Sequence, residues 1–392
     1  MSKEKLVIIF TVLIDVIGVG IIIPVMPAYV ESFKVSPFVV TLLFSVFSLF
    51  SFLSSPFLGA LSDKYGRRPV LMASILSTSI GWFVFAGAPS LFFIFLGRII
   101  DGLAAGNFST AQSAIGDLSH NPKERTANLG IIGAVFGIGF LVGPLLGGLL
   151  SKVSHVFPFW FVGGLSLLNF ILAYFFLPET NKNLDRERKI HWNPVKPIFI
   201  ALRDLKLRQL YVIWFMFNAI AIGANSIFAI YLMEEFGFGA YETGLFFTGV
   251  GLIIAFNQGF ALKHFWLKKF TEKQLILLMF SVFAVGFLAM AYPGLWLFIP
   301  GVVCMAFAQS ILRVAITSEI MGEADEKERG QATGALTAVM SVASVIAPIC
   351  AGAVLGVRHW LPFFLASISS IVAVLVIVRR RFPKIPTPSP LQ

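Results

Sequence analysis

Residues 124–148 read ERTANLGIIGAVFGIGFLVGPLLGG, and residues 328–352 read ERGQATGALTAVMSVASVIAPICAG. Glu124-Arg125, Gly130, Pro144 and Gly148 recur as Glu328-Arg329, Gly334, Pro348 and Gly352, each at an offset of 204 residues. Between these anchors Gly133, Gly137, Gly139, Gly143 and Gly147 meet Thr337, Ser341, Ala343, Ala347 and Ala351. Small meets small five times without a gap. A chain of 392 residues that repeats at about half its length is built from two homologous halves. Both copies lie in long apolar runs, so these are halves of a membrane protein. Parallel repeats in a membrane protein point first to transport.

Composition agrees. The chain is 57% hydrophobic and 13% charged, against about 25% charge in a soluble domain. Its mean hydropathy is +0.86. The 42 Phe are more than one aqueous core needs, and most are expected to face lipid or line a cavity. Cys304 and Cys350 both sit in apolar runs and imply no disulfide framework. The net charge of +10 would suggest nucleic acid in a soluble protein. Here its placement carries the information instead, and no nucleic-acid partner is expected.

A helical span needs about 20 mostly apolar residues. Twelve segments qualify, roughly 6–29, 38–61, 70–88, 91–116, 128–151, 157–177, 209–233, 243–265, 274–292, 295–318, 331–355 and 360–378. We refer to them as spans one to twelve. The first run reaches about Tyr29 and contains Asp15, so it reads as a span and not as a signal peptide. All spans must be helical, because lipid offers no partner to an isolated strand. Twelve spans put both termini on one side, with segments 1–5, 62–69, 117–127, 178–208, 264–273, 319–330 and 379–392. These hold nearly all Lys and Arg, whereas the other side has only Lys34, Lys152 and Arg358. The positive-inside bias then makes both termini cytoplasmic in a multi-pass protein of the cell (inner) membrane. The expected organisation is an all-α membrane protein with two six-helix bundles, 1–177 and 209–380. A basic cytoplasmic linker, 178–208, joins them, and a Pro-rich tail, 381–392, is expected to be disordered.

Three ionisable residues fall inside spans. Asp15 lies about nine residues from the cytoplasmic start of span one, hence roughly 14 Å deep. Arg98 and Asp101 lie roughly 10–15 Å in from the other face. At i,i+3 the pair shares a helix face. Such groups are costly in lipid and are paired or functional. A carboxylate whose water and Arg access change between conformations can bind and release a proton, which is what proton coupling requires. The other reading is a static ion pair that fixes helix packing. For Arg98, organising the site is the preferred role. The second half offers the amides Asn218, Asn225, Asn257, Gln258 and Gln309 instead. With Asn107 and Gln112 of the first half and Trp214, they are candidates to line a substrate cavity, and the amides are equally candidates to make interhelical hydrogen bonds. Arg313 reads as a cavity residue or as a cation snorkelling at the cytoplasmic end.

Gly59-Ala-Leu-Ser-Asp63-Lys-Tyr-Gly66-Arg67-Arg68-Pro69, between spans two and three, resembles the signature loop of the major facilitator superfamily, G-x-L-x-D-x-x-G-R-[RK]-P. Leu96-Gly97-Arg98 with Gly102 and Gly106 is similar to that family's fourth-helix motif. Gly133, Gly137, Gly139, Gly143, Pro144, Gly147 and Gly148 resemble its fifth-helix antiporter motif. Asp15 followed by Pro24 and Pro27 resembles the first-helix motif of drug/proton antiporters. The resemblance covers the whole chain and is closest to tetracycline-resistance-type efflux proteins and their multidrug relatives. It implies two pseudo-symmetric six-helix bundles around a central cavity lined by spans one, four, seven and ten. Gly59, Asp63, Gly66, Arg67 and Arg68 would then form a cytoplasmic latch. The chain departs from tetracycline exporters in span three, which offers Ser79, Ile80 and Gly81 where those use an acid, and in span nine, which has none. That weighs against recognition of a metal–tetracycline chelate.

The expected activity is proton-coupled efflux of small hydrophobic or amphipathic compounds by alternating access. Protons are the coupling ion, no other cofactor or metal is implied, and a monomer in the bilayer suffices. Proton-coupled uptake or facilitated diffusion of a small metabolite is the alternative on the same fold. No metal cluster, nucleophile triad or phosphate loop points to an enzyme.

Overall fold

The computed structural model describes residues 3–118, 121–181, 184, 193–325 and 328–379. Every regular element among them is helical. Ten helices are long and apolar enough to cross a bilayer. They correspond to span one (Lys3–Glu31), two (Pro37–Tyr65), three (Arg67–Ala86), six (Phe157–Phe176), seven (Arg208–Phe236), eight (Ala240 to Lys269), nine (Glu272–Met290), ten (Leu295–Glu323), eleven (Arg329–Leu355) and twelve (Leu361–Arg379). Span five is Pro122–Ser151, whose apolar part is Gly137–Ser151. Span four is made of two pieces, Leu91–Leu103 and Asn107–Asp117.

The helices pack as two related bundles. In the first, span one lies on spans five and six, and span three on spans four and six. In the second, span seven lies on eleven and twelve, and span nine on ten and twelve. Each pairing in one bundle thus has its counterpart in the other. The bundles join through spans two with eleven and five with eight, two contacts that are equivalent under the same repeat.

That seam is tight at one end and open at the other. At the end away from the chain termini, Gly148 of span five lies against the Ala240 and Tyr241 backbone of span eight, and Gly244 against the Pro144 carbonyl. Gly352, the repeat partner of Gly148, sits on the Thr41 side chain of span two. The Lys152 ammonium stands 3.5 Å from the centre of the Tyr241 ring. Toward the termini, Gly59 of span two, Gly259 of span eight, and Gly330 and Gly334 of span eleven have nothing within 4 Å of where a β-carbon would stand. The ion pairs described at that end are Lys5–Glu124, Asp63–Arg67, Arg67–Asp117 and Lys206–Asp325, and each stays inside one bundle. The apolar core divides in the same way. One cluster runs through both bundles, from Ile21 and Trp82 to Phe228 and Phe298. A second, with Ile8, Val12, Leu71 and Ile115, belongs to the termini end of the first bundle alone. The bundles therefore meet at the far end and part toward the termini, leaving a wedge between them.

Three expectations need correction. Span four is not one helix, because Ala104–Gly106 turn through short bonds such as Ala105 N–H to the Gly102 carbonyl (3.1 Å). Gly102 is pressed on the Phe47 carbonyl and Gly106 on Leu58, so the break lets span four hug span two. Span eight is not regular either. Residues Asn257–Trp266 form a π-helix, which seats Asn257 against Ser310 of span ten while Trp266 Nε1 donates to Asn257 Oδ1 at 2.8 Å. Such π-turns gather at functional sites in helical proteins. Finally, 178–208 is more than a solvated linker. It carries the helix Lys196–Arg203, packed on span eleven, and its first residues return to the loop between spans two and three. Residues 182–183, 185–192 and the tail 380–392 lie outside the described residues.

Candidate functional site

Span one places Asp15 twelve residues after Lys3, about 18 Å along a 29-residue helix and near its middle. Its side chain is half-buried. The following residues fix its surroundings. Gly139, Gly143 and Gly147 recur every four residues and so share one face of span five. A β-carbon at Gly139 would stand 2.6 Å from Val16 Cγ1, and one at Gly143 would stand 2.7 Å from Gly20 Cα. Gly147 meets the Ile21 carbonyl. Only glycine on span five, with Gly20 opposite, lets the two backbones come so close. The turn that carries Asp15 is thereby keyed to span five. Gly137, by contrast, has open space beside it, and Pro144 and Gly148 serve the seam with span eight. The surroundings of Gly133 and the side chain of Asn107 lie outside the described residues.

Arg98 and Asp101 are both buried and form an ion pair, Nη1 to Oδ2 at 3.0 Å. The Arg98 guanidinium also lies 4.3 Å from the centre of the Phe47 ring and 5.0 Å from that of Trp82. Thr78 of span three hydrogen-bonds to Asp101. The pair therefore faces spans two and three, whereas span one packs on spans five and six. Asp15 and the pair belong to different contacts of the same bundle. Position 81 of span three leaves little room for a side chain: a β-carbon there would come 3.0 Å from the Gly97 carbonyl and the Asp101 amide. Neighbouring Ser79 is buried and donates to the Gly163 carbonyl at 2.8 Å. Removing one member of a buried pair strands the other. Arg98→Ala is expected to destabilise the protein by about 3–5 kcal/mol, read as a lower Tm in detergent. The double change Arg98→Met with Asp101→Leu should recover most of that loss, and a double variant melting no higher than Arg98→Ala would refute the pairing account.

The loop 59–69 is held within the first bundle. Arg67 pairs with Asp63 at 2.6 Å and with Asp117 at 3.1 Å, and donates to Ser62 Oγ at 2.6 Å. Gly66 has φ +109, a conformation that favours glycine, and a β-carbon there would collide with the Glu179 carboxylate. Glu179 accepts from the backbone N–H of Arg67 at 2.9 Å and of Arg68 at 3.1 Å. It caps the start of span three from just beyond span six, an anion at a helix N-terminus. Arg68 donates to the Tyr174 carbonyl at 2.7 Å. Glu179 and Asp117 were not among the residues that the sequence singled out. No local signal marks either, because the same segments hold other acids, Glu124 beside Asp117 and Asp185, Glu187 and Asp204 beyond Glu179. Glu179→Gln is expected to cost about 1 kcal/mol and to speed amide hydrogen exchange at Arg67 and Arg68. Unchanged exchange at both amides would remove this cap from the account.

The amide candidates divide by burial. Trp214 is buried and donates to the Leu336 carbonyl at 2.9 Å, and buried Asn218 donates to the Trp214 carbonyl at 2.8 Å. Asn257 is fully buried in the Ser310–Trp266 knot. Trp214 and Asn257 tie helices together, Asn218 bonds within its own helix, and all three are closed off from a cavity in this conformation. Gln112, Asn225 and Gln309 are half-buried, and Gln258 and Arg313 are exposed. Asn225 donates to Ala221 at 2.8 Å and Gln258 to the Ser310 carbonyl at 3.2 Å. Among the described residues no group of His, Cys, Asp or Glu could hold a metal ion, and both cysteines are free.

Two repeated bundles that close at one end around a wedge, with a carboxylate midway along span one, define a membrane transporter. The family model of the Major Facilitator Superfamily matches residues 8–265 and 259–392, so the chain belongs to that superfamily. It is 29% identical over 358 residues to the class C tetracycline resistance protein of Escherichia coli, covering 90% of each chain. It is 28% identical over 385 residues to the quinolone resistance protein NorA of Staphylococcus aureus, covering 96% of this chain and 97% of that one. Among solved structures, the peptide transporter POT superposes with a TM-score of 0.80 at 14% identity, covering 96% of this chain and 94% of that chain.

Proposed function

We propose that this transporter exports small hydrophobic or amphipathic compounds from the cytoplasm in exchange for protons, and that Asp15 carries the proton. The observation behind this reading is the glycine face of span five, Gly139, Gly143 and Gly147, seated on the turn of span one next to Asp15. Any movement of the bundles that slides span five carries that turn with it and changes the access of the carboxylate. The Arg98–Asp101 pair organises span four against spans two and three. The tetracycline and quinolone resistance proteins it is similar to support export of drug-like compounds.

In this reading the basic, termini-bearing end is cytoplasmic, the protein sits in the cell membrane as a monomer, and the wedge is the inward-open cavity. The loop 59–69 acts as a latch when the cytoplasmic end closes, and its ion pairs stay within one bundle while that end is open. Reconstitution into liposomes with an imposed pH gradient and a panel of fluorescent amphipathic compounds tests the proposal. Transport should follow the sign of the gradient and collapse when a protonophore is added. Transport indifferent to the gradient would favour facilitated diffusion.

A further inference from the structure

Span ten carries one more message. Val302, Ala306, Gln309, Arg313 and Ile320 are separated by four, three, four and seven residues, so they share one helix face. Val302, Ala306 and Ile320 are buried in the core. This face therefore looks into the protein, while the lipid side lies about a quarter turn away, where Trp296 and Val303 are exposed. Arg313 breaks the pattern: it is exposed on the buried face. An exposed side chain on a face otherwise packed against protein opens on water inside the molecule. Here that water is the wedge between the bundles. Arg313 stands ten residues before Glu323, toward the basic end of span ten, and its helix face turns it to the wedge and away from lipid.

Among the described residues no acidic side chain pairs with Arg313 or acts on it, unlike Arg98 at the equivalent span of the other bundle, six spans away. One turn deeper, the Oε1 of Gln309 is buried and lacks a hydrogen-bond partner. Arg stays charged under all physiological conditions and its planar fork fits a carboxylate. A guanidinium that faces the wedge with no acid on it is open to a visiting anion.

We propose that Arg313 selects for charge in the substrate cavity: the compounds this protein exports carry an anionic group, a carboxylate, that binds the Arg313 guanidinium. Gln309 accepts a hydrogen bond from a polar group one turn deeper. This rests on the wedge being the substrate path, and it narrows the class of substrate to amphipathic anions and zwitterions.

The test is equilibrium binding to the full chain in phosphatidylcholine nanodiscs, with a matched panel of bicyclic aromatic carboxylates, their carboxamides and their amines. The wild type should bind the carboxylates about tenfold or more tighter than the amides. Arg313→Gln should erase that preference, and Arg313→Lys, which keeps the charge and loses the fork, should retain part of it. A wild type that binds amides or amines as tightly as carboxylates, or binds none of the panel, overturns the proposal. So does an Arg313→Gln protein that keeps the preference. Binding needs no gradient, so loss of proton coupling would leave this result standing, and loss of anion preference would leave proton-driven export standing.

Discussion

Asp15→Asn protein in liposomes should show no more gradient-driven transport than protein-free vesicles, while it still exchanges substrate for substrate without a gradient. Asparagine keeps the shape of the side chain and cannot release a proton. Each pH unit across the membrane is worth about 1.4 kcal/mol per proton, or a tenfold substrate ratio at one-to-one coupling. A carrier that cannot protonate cannot draw on that energy. The residue is only half-buried, so the neutral variant should fold, and its Tm should stay within a few degrees of wild type. The exchange assay separates the two ways of failing. If exchange vanishes together with driven transport, Asp15 belongs to the translocation path itself; if driven transport survives, the proton travels elsewhere and the assignment is wrong. Arg98→Ala makes the contrast, because its expected defect is in stability.

Much of this architecture was legible before any coordinates. Twelve apolar runs, the alternation of basic and neutral segments and the repeat at 124–148 and 328–352 suffice for two bundles, since in lipid a span has few alternatives to helix. The loop 59–69 was legible because it resembles the superfamily's signature motif, and its glycine at Gly66 suits a tight turn. What hydropathy does not encode is azimuth. Trp214, Asn218 and Asn257 have the same composition as cavity residues, yet they point into helix contacts, while Gln258 and Arg313 do not. The break at Ala104–Gly106 and the π-helix at Asn257–Trp266 were hidden for a similar reason. Both are set by what a neighbouring span presses against, Phe47 and Leu58 in one case and Ser310 in the other. The partnership of Glu179 with Arg67 and Arg68 spans more than a hundred residues and leaves no local pattern.

The repeat itself leads to the second large effect. Gly148 and Gly352 do the same work at the two halves of the seam, one against span eight and one against span two. A valine at either position crowds only the conformation in which the far end is shut. Gly352→Val meets the Thr41 side chain, and overpacking of this kind costs about 1–3 kcal/mol. Charged to one state alone, that shifts the balance toward the far-end-open form by about 5- to 150-fold. The shift is measurable with a cysteine at Ser45, buried one turn from Thr41 on span two, in a protein whose Cys304 and Cys350 have been replaced. Its labelling by a membrane-impermeant maleimide from the far side should rise by that factor, and driven transport should fall with it. Thr41→Gly removes what the valine strikes and should return labelling toward the starting level. Gly148→Val offers no such remedy, because it meets backbone, the Tyr241 Cα at 3.0 Å and the Ala240 carbonyl at 3.1 Å. A side-chain truncation in span eight should therefore leave that variant locked. Equal rescue at both positions, or unchanged labelling in Gly352→Val, would mean that the seam at 148 and 352 does not control the far-end gate.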